Sequence, residues 1–273
     1  MARPAGWETR RFLILVKTYP NPSASLVETV CTAGVDEQGR FTRLYPIPFR
    51  TMDEAKRFQK WQWIEARVQK ARDPRPESFV VDVPSLRTLG PPMAAGARWP
   101  DRWRHVAPLL QPSMCTLEGR RDISLALIQP VEYSMTFEDD PQNWSHDQLA
   151  KLTKEKGAID LFGELRSPKS LLQKLPVKIR YRFRCADPAC QGHEKLFEDW
   201  EVGQSWRSWG ARYRTRALLE AAIVNRYADE PRRHRNLYFF VGTLAAFPDT
   251  WVIIGHAQPL HLRHVQANQG ELG

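Results

Sequence analysis

Residues 177–193 read VKIRYRFRCADPACQGH, and this stretch combines the pattern of a β-strand with a cluster of metal-binding residue types. In its first half, apolar and cationic residues alternate with the period of two that is typical of a strand with one apolar face. The apolar positions are Val177, Ile179, Tyr181 and Phe183, and the cationic positions are Lys178, Arg180, Arg182 and Arg184. Four like charges along one face need solvent or an anionic partner. We expect a phosphate backbone to be that partner, and the alternative is a solvated edge strand whose charges prevent aggregation.

The second half of the stretch holds Cys185, Cys190 and His193 in a C-x4-C-x2-H arrangement. Thiolates and imidazole at this spacing favour tetrahedral zinc, whereas calcium and magnesium prefer oxygen ligands. We therefore predict that these three residues hold a structural zinc ion. The competing interpretation makes Cys185 a small buried residue at the end of a strand and His193 a polar loop residue. A disulfide between Cys185 and Cys190 is disfavoured in a reducing compartment.

The fourth zinc ligand is left open by the sequence. His256, His234 and Asp199 are candidates, because Cys31 and Cys115 stand alone in the chain. A closed structural site would use one of these three side chains, and a catalytic site would leave the position to water.

More cations follow the cysteine cluster. An apolar stripe predicts the longest helix of the chain at 208–228, and arginines on and beside it are interleaved with aromatic residues. The arginines are Arg207, Arg212, Arg214 and Arg216, and the aromatic residues are Trp200, Trp206, Trp209 and Tyr213. Arginine and aromatic rings can stack on unpaired bases, so we predict that this region contacts nucleic acid. Core packing is the alternative role for the tryptophans, since the chain has 10 of them.

The composition is that of a folded protein with a polyanionic partner. The chain has 273 residues, 42% of them hydrophobic, which is enough for one large domain or two modest ones. Its 40 Lys and Arg outnumber 31 Asp and Glu, and the net charge of +9 makes nucleic acid the leading candidate partner. No stretch approaches the roughly 20 apolar residues of a membrane helix. Residues 1–20 lack a signal-peptide cleavage site, so we expect a cytoplasmic protein without a membrane partner.

The spacing of short strands predicts an α+β protein with two regions. We expect a β-rich domain at 1–135, with a Pro-, Gly- and Arg-rich surface excursion at 84–123, followed by an α+β domain at 136–273. Strands are expected at 12–18, 29–35, 41–45, 61–70, 124–131, 177–184, 237–243 and 250–255, and a short helix at 145–154.

An ordered signature lies at 28–50, where CTAGVD at 31–36 is followed by Gly39, Phe41 and Arg43. It resembles the opening of the dual OB-containing domain of prokaryotic conflict systems, except that Leu44 and Tyr45 stand where Pro is expected directly after Arg. The resemblance implies OB-like β-barrels that bind single-stranded nucleic acid, a role in defence against phages or plasmids, and Arg43 and Arg50 as ligand contacts. From the residues alone, the segment is equally compatible with a plain hairpin. We expect an OB-like or PUA-like barrel in the N-terminal region.

Catalytic signals are sparse. Asp199 and Glu201 could hold a hard cation for phosphodiester cleavage, as could the acidic residues at 160–164. The sequence has no Walker A motif, no GxGxxG, no HExxH, no GxSxG and no zinc-deaminase motif, so it offers no nucleotide-cofactor site.

The main prediction is a zinc-containing nucleic-acid-binding protein, which the resemblance places in a multi-subunit antiviral defence system. A metal-dependent nuclease built on Asp199 and Glu201 is the alternative. A third hypothesis is a scaffold subunit whose basic face docks on an acidic protein partner.

Overall fold

The computed structural model describes residues 6–23, 27–49, 52–95, 99–141 and 174–260. The first part of the chain forms one sheet of six strands. They are β1 (Glu8–Lys17), β2 (Asn21–Ser23), β3 (Val27–Asp36), β4 (Phe41–Ile47), β5 (Trp63–Lys70) and β6 (Ser78–Leu89). Their order is β1-β5-β6-β4-β3-β2, and a further antiparallel pairing of β1 with β3 closes five of them into a ring.

The apolar run of β1 is explained by two cores. Phe12 and Ile14 pack with side chains of β4, β5 and β6 on one face of the strand. Leu13 and Leu15 belong to a second core that includes buried residues from the C-terminal half of the chain. A strand that is covered on both faces needs a continuous apolar run rather than an alternating one.

The chain from Leu125 onward, which we call the C-terminal half, contributes two antiparallel sheets of three strands each. One has the order β12-β11-β7, with β7 (Leu125–Ile128), β11 (Tyr238–Thr243) and β12 (Trp251–Ala257). The other has the order β10-β9-β8, with β8 (Glu132–Asp139), β9 (Val177–Arg184) and β10 (His193–Leu196). The predicted apolar face of β9 is buried in a third core together with residues of β11 and β12.

The described helices are short. They are α1 (Trp99–Val106), α2 (Trp200–Gly210), α3 (Arg216–Val224) and α4 (Glu230–His234), and a π-helical segment at Asn225–Asp229 joins the last two. None of them reaches the length and apolarity needed to cross a membrane. The predicted α+β class is confirmed, because strands predominate and few helices accompany them.

Two expectations about local structure were wrong. The single helix predicted at 208–228 is interrupted between α2 and α3, where the Thr215 side chain accepts a hydrogen bond from the backbone N–H of Leu218 and starts a new helix. The segment 84–123 is not a surface excursion throughout, because it contains α1 and supplies buried Val106, Met114 and Leu117 to the cores. The helix predicted at 145–154 lies outside the described residues.

Candidate functional site

Cys115, Cys185, Cys190 and His193 form a cluster whose ligand atoms all lie within 4.8 Å of one another, and which could hold a metal ion. Nε2 of His193 is 3.3 Å from Sγ of Cys115 and 3.4 Å from Sγ of Cys190. The three residues predicted from the sequence are therefore brought together. The fourth member is Cys115, so the expectation of His256, His234 or Asp199 in that position was wrong.

Local structure positions each member of this cluster. Cys185 directly follows β9, and His193 opens β10 opposite Phe183 of β9. Gly192 makes the return possible because its φ of 94° lies in the left-handed region that favours glycine. Cys115 lies in a separate turn. The backbone N–H of the preceding residue, Met114, donates a hydrogen bond of 3.1 Å to Sγ of Cys185.

The electrostatics of the cluster call for a cation. Burial, together with the neighbouring Cys190 and Cys185, raises the pKa of the Cys115 thiol to about 11. Burial also raises the pKa of Cys185. For Cys190, burial acts in the same direction, but the backbone N–H groups of Cys185 and Gly192 outweigh it and lower the pKa. Thiolates crowded in this way are stabilised by a bound cation, because the ion supplies the missing positive charge.

The His193 imidazole is held in the orientation of a metal ligand. Its Nδ1 lies 3.3 Å from Oε1 of Glu118, and the same carboxylate oxygen accepts a hydrogen bond of 2.8 Å from Nζ of Lys195. A carboxylate on one imidazole nitrogen directs the other toward the ion in many metalloproteins. Burial lowers the pKa of His193, which favours the neutral, metal-binding form.

The cationic face of β9 meets protein carboxylates on both neighbouring strands. Lys178 and Arg180 each lie 3.3 Å from an oxygen of Glu138, and Arg182 lies 2.5 Å from Glu194. The remaining cation, Arg184, donates to the carbonyl oxygen of Cys190. Much of the positive charge predicted for this strand is thus offset within the fold.

The other predicted nucleic-acid contacts are scattered. Arg43 is 2% exposed and donates to the hydroxyl groups of Ser78 and Ser124, which makes it an interior residue. Arg216 pairs with Asp139 and Glu220. Arg207 and Arg212 are exposed at the C-terminal end of α2 and just beyond it, and Arg50 lies outside the described residues.

A second charged cluster surrounds Asp199, which is fully buried and caps α2 by accepting a hydrogen bond from the backbone N–H of Glu201. Nζ of Lys60 lies 3.3 Å from Oδ2 of Asp199 and 3.3 Å from Oε2 of Glu201. Nδ1 of His256 lies 3.4 Å from the same Asp199 oxygen. Burial acts to raise the pKa of Asp199, but the charge of Lys60 outweighs it, with help from His256, and the pKa is lowered.

The Lys60 ammonium bears on the nuclease hypothesis. The residues Asp199, Glu201 and His256 are of types that could hold a metal ion. However, the ammonium already sits between the two carboxylates, where a hard cation would bind. Burial acts to lower the pKa of Lys60, but the charge of Asp199 and then that of Glu201 outweigh it and raise the pKa, so this position carries a permanent cation.

A cavity of about 510 Å³ opens beside Lys60 and Glu201, between the ring of strands and the C-terminal half. Its cations are Lys17, Lys60, Arg102, Arg226 and Arg235, and its aromatic walls are Trp61, Trp99 and Trp200. Arg102 lies over two of these rings, 4.8 Å from the centroid of Trp61 and 5.3 Å from that of Trp99. Ligand sites in proteins have this size and often this combination of rings with a few polar groups.

Trp61 also carries backbone strain. Its φ of 66° lies in the left-handed region, which is unusual for a bulky side chain. Backbone hydrogen bonds to Ile14 and from Met93 hold it there. Strain of this kind is concentrated at functional sites.

Several residues that line this cavity have a buried polar atom without a hydrogen-bond partner. Among the described residues, seven buried side-chain nitrogen and oxygen atoms have no hydrogen-bond partner, and four of them belong to residues that line the cavity. They are Nε of Arg102, Nε of Arg235, Nδ1 of His256 and Nε2 of Gln258. Two of them nevertheless face a carboxylate, because Nε of Arg235 lies 3.6 Å from Oε1 of Glu230 and Nδ1 of His256 lies 3.4 Å from Oδ2 of Asp199. The Gln258 amide orientation is set by Arg226, which donates to its Oε1. All four atoms are themselves closed to solvent, so a ligand in the cavity would meet the exposed parts of the Arg226 and Arg235 side chains instead, which are 43% and 29% exposed.

Sequence reasoning missed most of this cavity. Lys17 follows the apolar run of β1. A cation at the end of a buried strand was the one sequence feature that could have pointed to this residue. Lys60 and Arg102 carried no distinguishing pattern, because their neighbours in space come from distant parts of the chain.

Comparison with protein families matches two consecutive parts of the chain. Residues 8–108 match a domain of unknown function, DUF8758, and residues 110–271 match a domain of unknown function, DUF8757. The two matches meet near residue 109, whereas the composition suggested a boundary at 135. A search of curated proteins gave no match. Since the second match covers more than half of the 273 residues, the chain belongs to the DUF8757 family.

Proposed function

We propose that the protein binds nucleic acid through the cavity between the ring of strands and the C-terminal half, and that the Cys115 cluster holds a structural zinc ion. The observation that carries the first part is a cavity that brings Arg102, Arg226 and Arg235 together with three tryptophan side chains. Phosphate oxygens are the acceptors that suit guanidinium donors, and an indole ring such as that of Trp200, which Arg102 does not cover, can stack on a base. A nucleotide of a single strand supplies both.

The cavity is a better interface than the face of β9. The cations of β9 lie opposite Glu138 and Glu194 in the antiparallel register, so a phosphate there would compete with carboxylates that are already in place. In the cavity, Lys60, Arg226 and Arg235 also face carboxylates, but Arg102 has none within ion-pair distance among the described residues. Burial lowers the pKa of Arg102, which is the cost of placing a guanidinium there without a close anion.

Zinc is supported by the donor set. Three sulfurs and one imidazole nitrogen are the ligands of tetrahedral structural zinc, and they leave no position for water. The ion would tie the Cys115 turn to the β9–β10 pair, which explains why these segments form one core without a disulfide. Structural zinc contributes about 10–16 kcal/mol of apparent binding free energy, comparable to the stability of a whole domain.

The proposal extends to the fold type of the N-terminal domain and to the biological role of the protein. The ring of β1, β5, β6, β4 and β3 supports an OB-like or PUA-like N-terminal domain, since both are small closed sheets. A role in antiviral defence, in the cytoplasm and with protein partners, rests on the resemblance of residues 28–50 to the dual OB-containing domain.

Fluorescence anisotropy with labelled single-stranded DNA and RNA tests the proposal. Arg102→Gln should weaken binding by roughly tenfold or more, because hydrogen bonds to charged groups contribute about 1.5–3 kcal/mol each. Arg182→Gln is the matched control, since this arginine is exposed and already paired with Glu194. Equal affinities for the wild type and Arg102→Gln, or a larger loss with Arg182→Gln, would contradict the proposed interface.

A further inference from the structure

Lys17 places a second amine in the cavity, in surroundings unlike those of Lys60. Lys17 is the last residue of β1 and is 8% exposed. Its Nζ donates to the carbonyl oxygen of Phe58 at 3.3 Å. It lies 4.2 Å from the ring centroid of Phe49 and 5.6 Å from that of Trp200. Aromatic rings and one carbonyl therefore surround this amine.

Lys17 and Lys60 differ in the number of carboxylates beside them. Lys60 is clamped by Asp199 and Glu201, whereas no carboxylate of the described residues lies within ion-pair distance of Lys17. Burial and, to a smaller extent, the charge of Lys60 lower the pKa of Lys17 to about 8, against the weaker opposing effects of Glu201 and Asp199. At pH 7 the neutral fraction of such an amine exceeds that of an ordinary lysine by roughly 250-fold. A desolvated lysine beside another cation, with its pKa lowered, is a usual form of a nucleophilic amine in proteins.

The cavity also provides what a phosphorylated carbonyl compound needs. Arg102, Arg226 and Arg235 line the same cavity as Lys17, and guanidinium groups suit a phosphate. A volume of about 510 Å³ is sufficient for a sugar phosphate.

We propose that Lys17 is a nucleophilic residue that forms an imine with the aldehyde of a phosphorylated sugar held in this cavity. The lone pair of Nζ adds to the carbonyl carbon to give a carbinolamine. Loss of the carbonyl oxygen with the two hydrogens of the amine then releases one water and leaves the C=N bond. No oxidant or reductant is required.

Two sources supply this aldehyde chemistry. One is the ring-opened sugar at an abasic position of DNA, and this source rests on the proposed nucleic-acid binding. The other is the open-chain form of a free sugar phosphate such as ribose 5-phosphate. Both present an aldehyde a few bonds from a phosphate.

Borohydride trapping tests the inference on the intact protein. The wild type is incubated with ribose 5-phosphate or with an oligonucleotide that contains an abasic position, and the imine is reduced to a stable secondary amine. Peptide mapping by mass spectrometry should find one adduct per chain, on Lys17 and not on Lys60 or the exposed Lys178. The rate of trapping should rise with pH through about 8, as Lys17 loses its proton. Lys17→Arg should abolish the adduct, while Lys178→Arg should retain it.

The outcomes separate this inference from the proposed function. An adduct on Lys17 with either probe supports the inference, and a preference for the abasic oligonucleotide identifies DNA as the source. An adduct with ribose 5-phosphate in a protein that does not bind oligonucleotides would retain the inference and overturn nucleic-acid binding. Adducts that are absent, or spread over exposed lysines of the wild type, would overturn the inference even if oligonucleotides bind.

Discussion

Replacing Lys60 with methionine should lower the free energy of unfolding by about 3–5 kcal/mol, because it removes one partner of a buried ion pair. Methionine keeps the length and the apolar stem of lysine but not its charge. Asp199 is fully buried and would retain only the backbone N–H of Glu201 and the His256 ring as partners. The cost is therefore that of an uncompensated buried carboxylate, not of a lost surface contact.

The magnitude follows from the contrast with an exposed pair on β9. Arg182 and Glu194 approach to 2.5 Å, yet the Arg182 side chain is 64% exposed, and such pairs contribute less than about 1 kcal/mol. The Lys60 side chain is 8% exposed, so water cannot replace its charge. Arg182→Gln is therefore the matched control for Lys60→Met.

Urea unfolding followed by tryptophan fluorescence measures both variants. A double variant that combines Lys60→Met with Asp199→Asn should recover part of the loss, with an interaction energy of about 0.5–3 kcal/mol, because the orphaned charge is removed as well. A Lys60→Met protein within about 1 kcal/mol of the wild type, or no less stable than Arg182→Gln, would refute the buried-pair reasoning.

Three further predictions concern the metal centre, acid stability and one close contact. Cys115→Ser should remove stoichiometric zinc and lower stability, whereas the control Cys31→Ser should leave the zinc content unchanged. The measurement is elemental analysis of protein purified without chelator, and zinc retained in Cys115→Ser would exclude Cys115 as a ligand. The pKa of Asp199, which faces Lys60, His256 and Glu201, is lower in the folded than in the unfolded protein. The ionised Asp199 therefore stabilises the fold above about pH 4, and this contribution is lost as the pH falls through the pKa of Asp199 in the folded protein. Urea unfolding at pH 2–7 should show that the free energy of unfolding falls more steeply with acid in the wild type than in Asp199→Asn. Gly203→Ala should destabilise α2, because the added Cβ would lie 2.3 Å from the Tyr19 ring, and an unchanged thermal midpoint would show that the ring moves away at little cost.

The local features of the fold could be predicted from the sequence. The alternation at 177–184 gave the strand and its buried face, because a period of two places every second side chain on the same side. The spacing of Cys185, Cys190 and His193 predicted three of the four residues of the cluster that could hold a metal ion, for a similar reason, since all three lie on one strand pair and its turn.

Long-range contacts could not be predicted in this way. Cys115 is 78 residues from His193, and its turn has no pattern that assigns it to the cluster. The glutamates that offset the charge of β9 lie on strands whose register is set by the tertiary fold. The cavity depends on contacts such as that between Lys60 and Asp199, which are 139 residues apart. Charge counting suggested a binding face on a strand, and it could not show that the fold also gathers arginines and tryptophans around a cavity.

A crystal structure of the protein with a short single-stranded oligonucleotide tests the central claim most directly. The account predicts a phosphate within hydrogen-bond distance of Arg102 and Arg235 and a base against Trp200 in the cavity. An ordered oligonucleotide that lies along β9, with the cavity occupied only by water, would contradict it.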